Sequence, residues 1–221
     1  MFRLYSDKKI RKIIADNSVL IEDLCAFYHV PSAYLKSILL MELPEINVFD
    51  VLADGLVRLN WLRYSLWRCF TLDRHTRNPL RKFDSSTGYG QIFSQVAIEA
   101  ILFAENEGIP LNLGISGELY PFSPDDLERV WKRLNQDRVF NLSCATLNII
   151  HAAFQMTGRT DFDSFHEEDI KMILTRYNGN VKRISKYGEK AYRYFLEFNG
   201  SKKEKVPRKP QAARKPVCSS L

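Results

Sequence analysis

The sequence predicts a mainly α domain with at most a small β element, followed by a disordered basic C-terminal tail. Three observations predict it. Apolar residues recur at helical spacing in most segments, capping residues and prolines punctuate those segments, and strand-type alternation is weak throughout. Residues 1–200 read as one domain, because neither an internal repeat nor a low-complexity linker divides them, and residues 201–221 read as the tail. With 45% hydrophobic and 12% aromatic residues among 221, the chain can bury a sizeable core.

The elements follow in order. A first helical segment runs from Ser18 to about Tyr28, and His29-Val30-Pro31-Ser32 breaks it. Ser32 is expected to cap a helix that continues to Leu43, where Pro44 stops it. Val48–Phe70 reads as one long helix containing Trp61, Tyr64 and Trp67. Asp73–Gly90 is polar and loop-like, and any sheet would be small and would lie around Thr71–Thr87. Gln91–Glu107 reads as a helix ended by Gly108 and Pro110, and Leu111–Pro121 as irregular. Ser123-Pro124-Asp125-Asp126 begins another helix with proline in its first turn. Helices over Asn141–Met156, Glu167–Tyr177 and Glu189–Phe198 complete the set.

The net charge of +6 belongs to the tail, where seven basic residues stand against Glu204 alone, so residues 1–200 are balanced. A charge-driven grip on nucleic acid would have to come from that tail. A tethered polycation also suits an anionic wall polymer or membrane surface, and a merely solubilising end explains it equally well. No apolar run reaches the roughly 20 residues that span a bilayer. The longest, Ile92–Ala104, carries Gln95 and Glu99. The N-terminus shows no secretory signal, so synthesis in the cytoplasm is expected, and any target outside it would have to be reached by release or non-classical export. Cys25, Cys69, Cys144 and Cys218 lack metal-ligand spacing, so reduced thiols, no metal site and no cofactor are expected. A monomer is expected.

The helix before Pro44 carries a carboxylate on its apolar stripe. At about 100° per residue from Leu35, Ile38 falls at about 300°, Leu39 at about 40° and Glu42 at about 340°. Burial of Glu42 there would disfavour its charged form and raise its pKa, as a general acid requires. A buried carboxylate that only pairs with a neighbour fits the same pattern. Glu99, between Ile92, Val96 and Phe103, passes the same test, so periodicity does not choose between the two. Glu45 is expected to be solvated.

Three stretches, in order, resemble the lysozyme-like superfamily, closest to lytic transglycosylases and goose-type lysozymes. The first is Val30-Pro31 with the helix that ends in Glu42. It resembles the family's valine-proline followed by a helix ending in the catalytic glutamate. The second, Ser85-Ser86-Thr87-Gly88-Tyr89-Gly90-Gln91-Ile92, is similar to the family's S-x-x-G-x-x-Q-I turn, with Ala97 in the helix after it. The third, Tyr177-Asn178-Gly179 with Tyr187 and Tyr192 behind it, resembles the family's Y-N-G segment and tyrosine-rich helix. Asn148-Ile149 adds a weaker match. The chain departs from the pattern in Leu43-Pro44-Glu45, where transglycosylases carry serine after the glutamate, in Tyr89-Gly90, and in the long stretch from Glu42 to Gly88.

The resemblance implies a muramidase cutting the β-1,4 bond between N-acetylmuramic acid and N-acetylglucosamine in peptidoglycan strands, with Glu42 as general acid and base. A hydrolase would add a second carboxylate, for which Asp84 is the candidate; a turn residue bonding its own backbone is the alternative for it. Gly88, Tyr89, Gln91, Tyr177 and Asn178 are the candidate substrate-binding residues. Plainer readings exist as well: Gly88 as a positive-φ turn, Gln91 as a cap, and the Tyr177-Asn178-Gly179 stretch as a helix C-terminus with Asn178 and Gly179 as caps. Trp61 and Trp67 could stack on sugars, but tryptophan at helical spacing also serves a core.

Two other readings stay open. A lysozyme-like scaffold without activity could bind the wall or serve assembly, since ancestry fixes a fold better than a chemistry. Ile21–Leu40 also has the look of a DNA-binding helix-turn-helix, although its second helix presents Leu35, Ile38, Leu39 and Leu40 where base edges would need polar groups. A serine or cysteine hydrolase is disfavoured, because there is no nucleophile elbow and the four histidines have no evident partners.

Overall fold

The structure is a computed structural model that describes residues 5–46, 48–70, 84–115, 118–179 and 183–200. It is mainly helical. The α-helices are α1 (Asp7–Asp16), α2 (Ser18–Phe27), α3 (Ser32–Glu42), α4 (Val48–Phe70), α5 (Ser94–Asn106), α6 (Pro124–Gln136), α7 (Arg138–Thr157), α8 (Glu167–Tyr177) and α9 (Lys186–Gly200). Short 3-10 turns cover Leu43–Glu45 and Phe162–Ser164. Among the described residues the β structure is a single antiparallel bridge between Thr87 and Ile92. The stretch given for any small sheet, Thr71–Thr87, falls mostly outside the described residues, and the tail falls wholly outside them.

Two helices form the centre. α3 lies along α9 and also meets α1, α2 and α7, while α7 packs on α5, α6 and α8. Nine of the eleven residues of α3 are buried, Ser37 among them, so the helix is enclosed all round. The stripe read from its sequence is therefore only part of its buried surface. Even Lys36 lies mostly buried, with its ammonium 2.8 Å from Glu22 Oε1. α7 is similarly enclosed from Phe140 to Ile150. Cys25 and Cys144 are free thiols in this core.

Local chemistry explains where the observed boundaries differ from expectation. α1 was not foreseen; Ser6 opens it by accepting from the Lys9 N–H. Ser32 is the first residue of α3 rather than its cap, because the Pro31 backbone takes the cap position and no side chain bonds there. Pro44 sits inside a 3-10 turn, whose tighter i→i+3 pattern carries the chain past Glu42 before it leaves the helix. α5 begins at Ser94 rather than Gln91, because Gln91 and Ile92 belong to a turn and the Thr87 bridge. α7 begins at Arg138, with Asp137 Oδ1 accepting from the Phe140 N–H.

α4 is secured separately. Val57 and Trp61 pack on Trp131 of α6 in a small second cluster. Asp54 accepts from Ser85 Oγ at 2.7 Å and from Thr87 Oγ1 and Asn135 Nδ2 at 3.2 Å each. No helix among the described residues is long and apolar enough to cross a membrane.

Candidate functional site

Glu42 ends α3 beside a cavity of about 180 Å³. Its walls come from three distant stretches: Gln91, Ile92, Phe93 and Val96 from the turn before α5 and its first turn, Asn148 from α7, and Arg176 to Gly179 from the end of α8. Glu42 is the one carboxylate among the described residues that line it.

Glu42 keeps its proton well above the pH at which an ordinary carboxyl loses it. Burial, assisted by the nearby charge of Glu45, pushes its pKa up from the ordinary carboxylate range to about 7, against a hydrogen bond from Tyr187 that lowers it. The Tyr187 hydroxyl donates to Glu42 Oε1 at 2.5 Å. Burial first, and the Glu42 charge next, push the Tyr187 and Tyr177 hydroxyls well above the usual phenol range, so both remain protonated donors.

The turn from Thr87 to Ile92 forms one wall. Gly88 sits at φ 71° and Gln91 at φ 44°, both in the left-handed region. A Cβ on Gly88 would lie 2.1 Å from Asn141 Nδ2 and 2.7 Å from the Leu134 carbonyl oxygen, so glycine is required by space as well as by φ. Gln91 stabilises its own strained position: its Nε2 donates to the Gly88 carbonyl at 2.7 Å and its Oε1 accepts from Ser86 Oγ at 3.3 Å. Asn141, fully buried on α7, clamps the turn from behind. Its Oδ1 accepts the Gly90 N–H at 2.8 Å, and its Nδ2 donates to the carbonyls of Thr87 and Leu134 at 3.0 and 3.2 Å. From the other side the Tyr177 hydroxyl donates to the Gly90 carbonyl at 2.8 Å.

Thus the structure brings Glu42, Gln91, Tyr177 and Asn178 to one cavity. Asn178 is also the C-cap of α8 and Gly179 follows at φ 86°, so the plainer capping role and a place in the wall coexist. Gly88 and Tyr89 line a different depression of about 220 Å³, together with Asn135 and Arg138. The Arg138 guanidinium lies over the Tyr89 ring at 5.7 Å.

Asp84 does not line the cavity. Its two oxygens accept the N–H groups of Ser94 and Gln95 at 2.9 and 3.0 Å, capping α5 from outside the helix. Burial raises its pKa in spite of those bonds. Glu99 accepts from Gln95 Nε2 at 2.9 Å and is likewise absent from the walls. Glu45 is exposed, as expected. Trp61 is buried against Trp131 and cannot present a face to a ligand, while the Trp67 side chain lies outside the described residues. Among the described residues no group of three or more histidine, cysteine, aspartate or glutamate side chains is placed to hold a metal ion.

Comparison with family models, with curated proteins and with solved structures finds no match.

Three contributors had no role assigned from sequence. Tyr187 stood out only as part of a tyrosine-rich helix, and its reach to Glu42 is a tertiary fact. Asn141 read as a helix start, although a buried asparagine inside an apolar helix signals a satisfied polar clamp. Arg176 lines the cavity while its Nε donates to Gln155 Oε1 at 2.7 Å.

Proposed function

We propose that the protein cleaves peptidoglycan glycan strands as a lysozyme-like lytic transglycosylase, with Glu42 as the one acid and base. The observation that carries this reading is the buried Glu42 carboxyl, with a pKa of about 7, facing a cavity also lined by Gln91, Tyr177 and Asn178. Those residues come from the three stretches whose order resembles the lysozyme-like superfamily.

The chemistry runs through one carboxyl group. Protonated Glu42 gives its proton to the glycosidic oxygen as the bond from that oxygen to C1 of the muramic acid breaks through an oxocarbenium-like state. The resulting carboxylate is stabilised by the Tyr187 hydroxyl. It then takes the proton of the sugar's own C6 hydroxyl, whose oxygen bonds to C1 and closes a 1,6-anhydro ring. No second carboxylate is needed, which agrees with the commitment of Asp84 to the end of α5. Gln91, with its amide held by the turn, and Asn178 are the groups assigned to the acetamido and hydroxyl substituents.

Purified peptidoglycan tests the proposal. Wild type is expected to release anhydro-muropeptides identifiable by mass, and Glu42→Gln to release none. Reducing-end products from wild type would replace the transglycosylase with a hydrolase. Equal release by the Gln variant would remove Glu42 from its role, and no release by either would leave the wall-binding scaffold reading.

A further inference from the structure

We infer that α4 pairs with α4 of a second copy of this chain, antiparallel, about a two-fold axis at Leu59. α4 has two faces with opposite fates. Asp54, Val57 and Trp61 point into the protein, where Val57 and Trp61 are 1% exposed. Opposite them Leu52, Leu56, Leu59, Leu62 and Leu66 are exposed at 58, 60, 44, 56 and 52%. At about 100° per residue these five fall on one stripe within about 120° of each other, and they run for about 21 Å along the helix.

The spacing of the stripe identifies the occupant. The steps between successive leucines are four, three, three and four residues, the same read from either end. A two-fold interface needs this property, because the same patch must complement itself when reversed. In the antiparallel pair Leu59 meets Leu59, Leu52 meets Leu66, and Leu56 meets Leu62. Arg63, the charged residue within the stripe, then falls opposite Gly55, where an added Cβ would find nothing within 4 Å. The glycine leaves room for the arginine stem to lie flat and its guanidinium to reach solvent. Five leucines per copy, each about half exposed, bury on the order of 1,000 Å² in all, the size at which a specific interface begins.

Sedimentation of the full chain over a concentration series tests the pairing. The expected result is a species of twice the monomer mass. Leu59→Arg, whose charges would meet on the axis, should weaken it at least about tenfold while leaving the helical circular dichroism unchanged. Cross-linking tests the register even if that variant folds poorly. In a Cys69→Ser, Cys218→Ser background, Leu59→Cys alone should oxidise to a covalent dimer. Leu52→Cys should do so only when mixed with Leu66→Cys. A wild-type chain that stays monomeric throughout the series overturns the inference. So does Leu52→Cys linking to itself as readily as Leu59→Cys, or a monomer whose stripe binds phosphatidylcholine vesicles instead.

Discussion

The hydroxyl of Tyr187 donates to Glu42 Oε1 across 145 positions of sequence, joining the end of α3 to the first turn of α9. The contact sets what the carboxyl can do. Burial holds the proton on, and the tyrosine offers the one described hydrogen bond that eases its departure.

The first prediction follows from burial and needs no substrate. In the unfolded chain Glu42 ionises at its ordinary value of 4.5, and in the native protein at about 7. Between these values the unfolded chain holds fewer protons, so native stability falls as pH rises through that window, by about 3 kcal/mol in all. Glu42→Gln stays neutral and still accepts from Tyr187. Urea denaturation should therefore show the variant more stable than wild type at pH 8 and equal to it at pH 4. Equal stability at both values would mean that the carboxyl is not desolvated.

The second prediction concerns the alkaline limb of activity. If protonated Glu42 is the acid, peptidoglycan cleavage declines as pH rises through about 7, where Glu42 loses its proton. Tyr187→Phe removes the bond that favours the carboxylate, so its pKa rises further and the limb moves to higher pH. At the same time the maximal rate should drop by roughly tenfold, because the carboxylate formed on proton transfer loses its donor. A lower rate with an unmoved limb would assign Tyr187 to packing alone.

How far the sequence reaches is visible in particular elements. The spans of α4 and α8 and the start of α6 are legible because capping residues, prolines and an unbroken helical period mark them. The burial of Glu42 was legible from its apolar neighbours on the helix, whereas its choice over Glu99 rested on the resemblance and not on periodicity. The start of α5 was not, since Gln91 takes a left-handed φ that its residue type does not advertise, and the turn is held by Asn141 and Tyr177 from remote helices. Asp84 illustrates the same limit. An aspartate ahead of a glycine turn looks alike whether it faces a substrate or caps a helix ten residues on, and only the two backbone N–H groups it meets decide which.

The third prediction separates those two roles. As the cap of α5, Asp84 stabilises the helix by satisfying two first-turn N–H groups, and Asp84→Ala should cost about 1–2 kcal/mol. Asp84→Asn keeps one acceptor oxygen and should cost less. In both, cleavage per folded molecule should stay within about twofold of wild type, whereas loss of a second catalytic carboxylate costs on the order of a hundredfold or more. Rates normalised to folded protein by circular dichroism make the distinction, and a hundredfold loss in Asp84→Asn would restore this residue to the chemistry.

The fourth prediction tests the clamp behind the turn. Asn141 satisfies the Gly90 N–H and two carbonyls at once, all in the interior. Leucine keeps the branch at Cγ but is larger, so it crowds the turn, leaves the Gly90 N–H without that partner and deprives the Thr87 and Leu134 carbonyls of theirs, and Asn141→Leu should cost about 3 kcal/mol or more. Aspartate keeps an acceptor for Gly90 but sets a second oxygen against two carbonyls, and should be no better. Because Gly90 also receives the Tyr177 hydroxyl, loosening the turn shifts the wall of the cavity rather than the acid itself. The pH at which activity declines should therefore stay put while KM for peptidoglycan fragments rises. A variant with unchanged KM and an unfolding midpoint like wild type would show that the turn holds without its clamp.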